Sequence, residues 1–196
     1  MPTWDGSKGF NLDENDQITI QSSTGTHIDM PSYFSGKGFT AETLPLEQLV
    51  VPAYVIDLSK TATADTIISP EDIHKYEAVY GPIAKNSLVI AYTGWSKHWP
   101  NPKTYRNETK FPVLGLPAIE LLRSRKIAGV AIDTLALEKL GGTYPGHKLL
   151  MDAGVYIIEN IANCSQLPPK GAIVIALPLK VENLMEAPAR VIALIP

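Results

Sequence analysis

Residues Ser23–Phe34 read STGTHIDMPSYF, and the placement of this stretch decides how the rest of the chain is arranged. Side chains two apart on a strand project to one face. A strand through His27, Ile28 and Asp29 therefore sends an imidazole and a carboxylate the same way, with Pro31 ending it just beyond. An imidazole and a carboxylate converging on one point are ligands for zinc or manganese. An ordinary hydrogen-bonded His–Asp pair at a strand end fits these two residues equally well.

Upstream, Gln17–Ser22 (QITIQS) alternates polar and apolar side chains and reads as a strand running into this motif. Met1–Asp16 is irregular, with Trp4 and Phe10 as isolated anchors. Downstream, Val50–Leu58 (VVPAYVIDL) is a more buried strand whose Pro52 marks an edge or the strand's beginning. Ser69, Pro70 and Asp72 form a helix start of the capping-box kind. Ile73, Tyr76 and Tyr80 line its buried face, His74 points to solvent, and Gly81-Pro82 ends it. Ser87–Tyr92 is a buried strand that opens into a long loop, Thr93–Leu114, whose aromatic content marks it as functional. A helix follows from Gly115–Pro117, then a buried strand over Ala128–Asp133.

The last third holds a second chemical pair. His147 opens the short helix Gly146–Ala153, which Gly154 ends in a left-handed conformation, and Glu159 ends the strand Val155–Glu159. Ile157 and Glu159 share a face, so the carboxylate sits at the rim of an apolar segment and needs a cation or several donors. An arginine partner would serve it as well. Strands over Ala172–Leu177 and Arg190–Ile195 complete an α/β fold with a mixed sheet.

A chain of 196 residues suits one domain over 1–196, and 45% apolar with 19% charged residues is an ordinary globular balance. The net charge of −3 and the lack of a basic patch argue against nucleic-acid binding. No apolar run reaches membrane-spanning length, and no leader is visible, so a soluble cytoplasmic protein is expected. Cys164 alone cannot form an internal disulfide, and with no histidine near it in sequence it reads as a small buried side chain. Gly36-Lys37-Gly38 lacks the spacing of a phosphate loop.

Taken in order, GTHIDMP (25–31), GWSKHW (94–99), GVAIDT (129–134), HKLLMDAGVYIIENIAN (147–163) and ALPLK (176–180) resemble the cyclase family of metal-dependent hydrolases. That family includes bacterial kynurenine formamidases and isatin hydrolases. The resemblance implies a compact α/β domain on a barrel-like β core, assembled as a homodimer or homotetramer. It also implies a His-x-x-x-His-x-Asp ligand set whose aspartate is shared with a second metal held by a later histidine and glutamate. A further histidine, four residues after the aspartate, shuttles protons.

Carried onto this chain, His27 and Asp29 match the second histidine and the bridging aspartate, and His147 and Glu159 match the later pair. Ser23 stands where the first histidine belongs and Tyr33 where the shuttle belongs, while Thr24-Gly25-Thr26 between them is intact. Asp29, His147 and Glu159, with His27 close by, make a sufficient catalytic set for Zn or Mn. The other position keeps only His27 and the shared aspartate, so one strong metal site is expected where relatives hold two. A phenol is no base near neutrality unless its pKa is strongly depressed, but Tyr33 can donate to an oxyanion or simply wall the pocket. His98 is a candidate for the missing proton transfer, and Trp95 and Trp4 for stacking an aromatic substrate. Met1–Trp4 (MPTW) matches an internal stretch of relatives, so the chain reads as short at its N-terminus. Asp133 lies near a family site position, with a backbone-bonding role as the better reading.

The function expected is hydrolysis of a small amide, formamide or cyclic amide, with N-formylkynurenine best supported by the resemblance. The alternative is a non-catalytic homologue that keeps one metal for structure or ligand binding. The Ser23 and Tyr33 substitutions are what relaxed catalytic demand permits.

Overall fold

The computed structural model describes residues 18–196. Nine strands occur among them: β1 (His27–Asp29), β2 (Val50–Asp57), β3 (Ile67–Ile68), β4 (Leu88–Tyr92), β5 (Val113–Leu114), β6 (Gly129–Ile132), β7 (Tyr156–Glu159), β8 (Lys170–Pro178) and β9 (Glu186–Leu194). Six helices accompany them: α1 (Ser32–Ser35), α2 (Leu46–Leu49), α3 (Pro70–Tyr80), α4 (Pro102–Arg106), α5 (Leu116–Ser124) and α6 (Pro145–Met151).

Seven strands close into a barrel in the order β1-β7-β6-β4-β2-β8-β9, and β3 pairs with β5 in a small separate sheet. Strands β2, β4, β6 and β7 run parallel, each step crossing over through α3, α5 or α6, the kind of connection parallel neighbours require. Strands β1, β8 and β9 complete the circle antiparallel. The sheet is therefore mixed, and its parallel half does alternate strand with helix, a regularity hidden in sequence by the interposed β3 and β5.

Alternation along the strands sorts two apolar layers. Ile28, Val51, Ala53, Val55, Leu88, Ile90, Ala131, Tyr156, Ile158, Val174, Ala176 and Ala187 fill the barrel. Ile56, Val89, Ala91, Val130, Ile132 and Ile157 face outward and pack with residues of α3, α5 and α6. Large and small residues share the interior, as a narrow barrel demands. Tyr156 is the bulkiest of them; its hydroxyl donates to the Gln48 carbonyl at 2.9 Å. Gly129 makes room for it, since a Cβ there would lie 2.3 Å from the tyrosine ring.

The start of α3 follows the sequence reading: the Ser69 backbone N–H donates to the Asp72 carboxylate at 2.9 Å, a cap worth about 1 kcal/mol. Ile73 and Tyr76 are buried and His74 is exposed, whereas Tyr80, expected on the buried face, is exposed and stacks on Tyr76 instead. Pro52 sits beside a register shift in the β2–β8 ladder, before the β4 pairing begins, where no amide donor is missed.

Two expectations are corrected. Ile18–Gln21 form no strand: Ile18 and Ile20 are exposed, and the ladder begins only at His27. Thr93–Leu114 is not an irregular loop but folds into a 3-10 turn at Trp95–His98, α4, a second short turn and β5. The aromatic side chains in it build a small core of their own, Trp95, Tyr105 and Phe111 with Val113 and Ala136. Among the described residues, no helix is long and apolar enough to cross a membrane.

Candidate metal centre

Ile28 and Ile158 point into the barrel, so the neighbouring positions of β1 and β7 point outward, toward α6. In the β1–β7 ladder His27 stands opposite Glu159. In the β1–β9 ladder Asp29 stands opposite Glu186, and Ala187 beside it faces inward. Directly opposed positions bring Cβ atoms to about 5 Å. Three adjacent strands thus deliver an imidazole and three carboxylates to one patch, and α6 adds His147 above it.

Each side chain is held from behind. His27 is buried, and its Nδ1 lies 2.8 Å from the Gly25 carbonyl. That oxygen can only accept, so Nδ1 carries the proton and Nε2 presents its lone pair to the patch. Gly25 reaches this position with a φ of +69°, which a glycine adopts freely. The Thr26 hydroxyl donates to the Asn160 carbonyl at 2.6 Å, pinning the β1 start to the β7 end.

His147 lies in the first turn of α6, and Glu138 secures both the turn and the ring. The Glu138 carboxylate accepts from the Gly146 and His147 backbone N–H groups at 2.9 and 2.7 Å and meets His147 Nδ1 at 2.6 Å. A carboxylate on the far ring nitrogen is the arrangement that orients metal-binding histidines. His147 Nε2 then faces Glu159 Oε1 at 3.3 Å. Burial by itself favours the neutral ring, but the Glu138 and Glu159 hydrogen bonds outweigh it and raise the His147 pKa to about 9.

Glu159 accepts from the Leu137 N–H at 2.7 Å through Oε1, and its Oε2 lies 3.6 Å from His27 Nε2. Asp29 Oδ1 lies 3.4 Å from His27 Nε2 and has no hydrogen-bond partner among the described residues. Burial first, then the Glu159 and Glu186 carboxylates, push the Asp29 carboxyl well above the ordinary range. A buried carboxylate oxygen without a hydrogen-bond partner, set among further carboxylates, is costly on its own. The donor set fits a divalent cation: Asp29, His147 and Glu159 each place a ligand atom within 4.8 Å of the others, and so do His27, Asp29 and Glu186.

A cavity of about 270 Å³ opens over the patch. Ser23 and Tyr33 are both on its wall, with Phe34 and Tyr144. Phe34 and Tyr144 also pack on the His147 ring, at 5.5 and 5.4 Å between centroids. The Tyr33 pKa is raised, by partial burial and by the nearby Glu186 and Asp29 carboxylates, so its phenol stays protonated and serves as a donor. A neighbouring cavity of about 400 Å³ shares Ser23, Leu135 and Asn160 and is walled by Trp99, Tyr105 and Arg106.

The remaining candidates are placed elsewhere. Trp95 is buried in the small aromatic core, and its indole N–H donates to the Tyr105 carbonyl at 2.9 Å, so it forms no wall of either cavity. His98 lies edge-on against Trp95 at 4.8 Å and lines neither cavity. Trp4 lies outside the described residues. Asp133 accepts from the Thr93 backbone and hydroxyl at 2.8 and 2.6 Å and from the Ser96 N–H at 3.1 Å, which organises the chain after β4. Cys164 is buried, and burial pushes its thiol up to about 12.

Sequence reasoning missed Glu138 and Glu186. Glu138 carries only a weak signal, an acidic residue shortly before a Pro-Gly-His helix start. Glu186 opens β9, which begins four residues before the strand expected at Arg190–Ile195, so the sequence pattern gives it no place on a strand face.

The Cyclase family model matches residues 1–139. An isatin hydrolase of Roseibium aggregatum is 34% identical over 91% of this chain and 74% of its own length. A kynurenine formamidase of Salinibacter ruber is 28% identical over 96% of this chain and 85% of its own. Among solved structures, an isatin hydrolase bound to the product analogue thioisatinate superposes with a TM-score of 0.86 at 33% identity, covering 91% of this chain and 74% of that one.

Proposed function

This chain belongs to the cyclase family of metal-dependent hydrolases, and we propose on that premise that it hydrolyses the C–N bond of a small amide, formamide or cyclic amide. The observation that carries this reading is the meeting of Asp29, His147 and Glu159, with His27 3.4 Å from Asp29 and 3.6 Å from Glu159, at the floor of a cavity. These residues would hold Zn or Mn. Such a cation lowers the pKa of a bound water to near neutrality and polarises a carbonyl.

The protein's own groups supply positioning and proton placement. Glu138 holds the His147 ring by Nδ1, and the Gly25 carbonyl holds His27 in the same way, so both Nε2 atoms face the site. The protonated Tyr33 hydroxyl offers a hydrogen bond where negative charge develops on a substrate oxygen. Phe34 and Tyr144 give the cavity apolar walls suited to a flat, ring-bearing substrate.

The test is hydrolysis of N-formylkynurenine and of isatin with Zn or Mn added, beside a Glu159→Ala control. Turnover that falls by about 10²-fold or more in the variant supports the reading. Equal rates in the two proteins refute catalysis of those substrates at this centre. Ser23 and Tyr33 favour one other reading, a non-catalytic homologue that binds its ligand through the same metal. Tight metal binding without turnover of any small amide would support that instead.

A further inference from the structure

We propose that Glu186 is a metal ligand that takes over from the missing histidine at Ser23, so that His27, Asp29 and Glu186 hold a second divalent cation beside the one at Asp29, His147 and Glu159. The proposal rests on the reading of the first centre and extends it to a residue of β9.

Three observations place Glu186 in this role. It stands directly across the β1–β9 ladder from Asp29, on the outward face, while Ala187 points into the barrel. One ligand atom each of His27, Asp29 and Glu186 lie within 4.8 Å of one another. Asp29, only 3% exposed, keeps Oδ1 without a partner among the described residues, and that oxygen lies 3.4 Å from His27 Nε2. A cation bound by both would satisfy a buried oxygen that is otherwise costly.

Glu186 is also positioned for the task. The Ser22 hydroxyl donates to Oε2 at 3.0 Å, which orients the carboxylate as a ligand's outer hydrogen bond does. A serine hydroxyl is a poor ligand beside an imidazole, and β9 brings a carboxylate to the same cavity wall as Ser23. Replacing an imidazole by a carboxylate makes the position harder and shifts its preference from Zn toward Mn.

Mn(II) binding to the full chain, counted by equilibrium dialysis and elemental analysis, tests this. The wild type is expected to hold about two Mn(II) per chain, with exchange coupling between them visible by electron paramagnetic resonance. Glu186→Gln, nearly isosteric, should hold about one and lose the coupling, and adding Ser23→His to it should restore both. Unchanged stoichiometry in Glu186→Gln overturns the proposal. So does a wild type that binds about one ion, or two without coupling, an outcome that needs no variant to fold and leaves the first centre standing. A wild type that binds no metal overturns the first centre as well.

Discussion

His27 stands directly across the β1–β7 ladder from Glu159, and His27 Nε2 lies 3.6 Å from Glu159 Oε2. The two residues are far apart in sequence, and one rung of the ladder brings them together. Because side chains on a strand alternate, this pairing also sends Asp29 outward and Ile28 into the barrel. The candidate metal site and the packed interior are opposite faces of the same three residues, so stability and site geometry are linked through β1.

That link makes metal removal a stability experiment. Chelation leaves the buried Asp29 and Glu159 carboxyl groups with His147 as their nearest compensating charge, and a ligand bound only by the folded state stabilises it by about 2.7 kcal/mol at a hundred times its Kd. The melting temperature is expected to fall on treatment with a chelator and to recover on adding Zn or Mn. A melting temperature indifferent to both would contradict metal binding by the folded chain.

Glu138 touches the metal patch only through His147. Glu138→Gln keeps the size of the side chain but gives up the charge that orients the ring. Metal affinity is expected to drop by about 10–100-fold, with the far-UV circular dichroism unchanged. Competition against a chromophoric chelator measures it, and wild-type affinity would show that the 2.6 Å contact is not needed.

Tyr33→Phe removes one hydroxyl from the cavity wall. If that hydroxyl donates to the developing oxyanion, kcat falls by about 10²-fold while metal content stays the same. An unaffected kcat would assign Tyr33 to the wall alone.

Gly129→Ala tests the barrel interior. The new methyl carbon would lie 2.3 to 2.7 Å from three atoms of the Tyr156 ring, itself fully buried and tied to Gln48. Overpacking of this kind costs about 1–3 kcal/mol. Urea denaturation should show a lower midpoint, and an unchanged one would mean that the ring shifts freely.

The ion pair between Glu77 and Arg125 ties α3 to the end of α5, with contacts of 2.8 and 2.9 Å. The hydrogen bond from Arg125 outweighs burial and holds the Glu77 carboxyl below its ordinary value. A depressed carboxylate pKa contributes stability above the unfolded-state value, lost as pH falls through the folded one. Glu77→Gln is therefore expected to destabilise by about 1 kcal/mol at neutral pH, with the difference from wild type vanishing in acid below the usual carboxylate range. Thermal melts of both proteins across pH measure it. A difference that persists in acid would mean that charge is not the cause.

Much of the site could be read from local sequence, for a local reason. His27 and Asp29 share a face because the strand period is two, and His147 faces the patch because a Tyr-Pro-Gly turn starts a helix there. Trp95 and His98 could not be placed that way. An aromatic-rich segment can wall a pocket or pack beneath itself, and only the burial of Trp95 against Tyr105 decides for the second.

The sequence alone determined the residue types and their spacing: the strand-borne His27 and Asp29, the later His147 and Glu159, the capped α3, and membership of the family. These follow from short-range periodicity and from motifs that span a few residues. Tertiary structure alone decided which carboxylates join them. Glu186 meets Asp29 because β9 closes the barrel against β1, and Glu138 meets His147 because the chain after β6 folds back onto α6. Neither contact carries a periodic signal, since ring closure and loop return are properties of the assembled fold rather than of any one element.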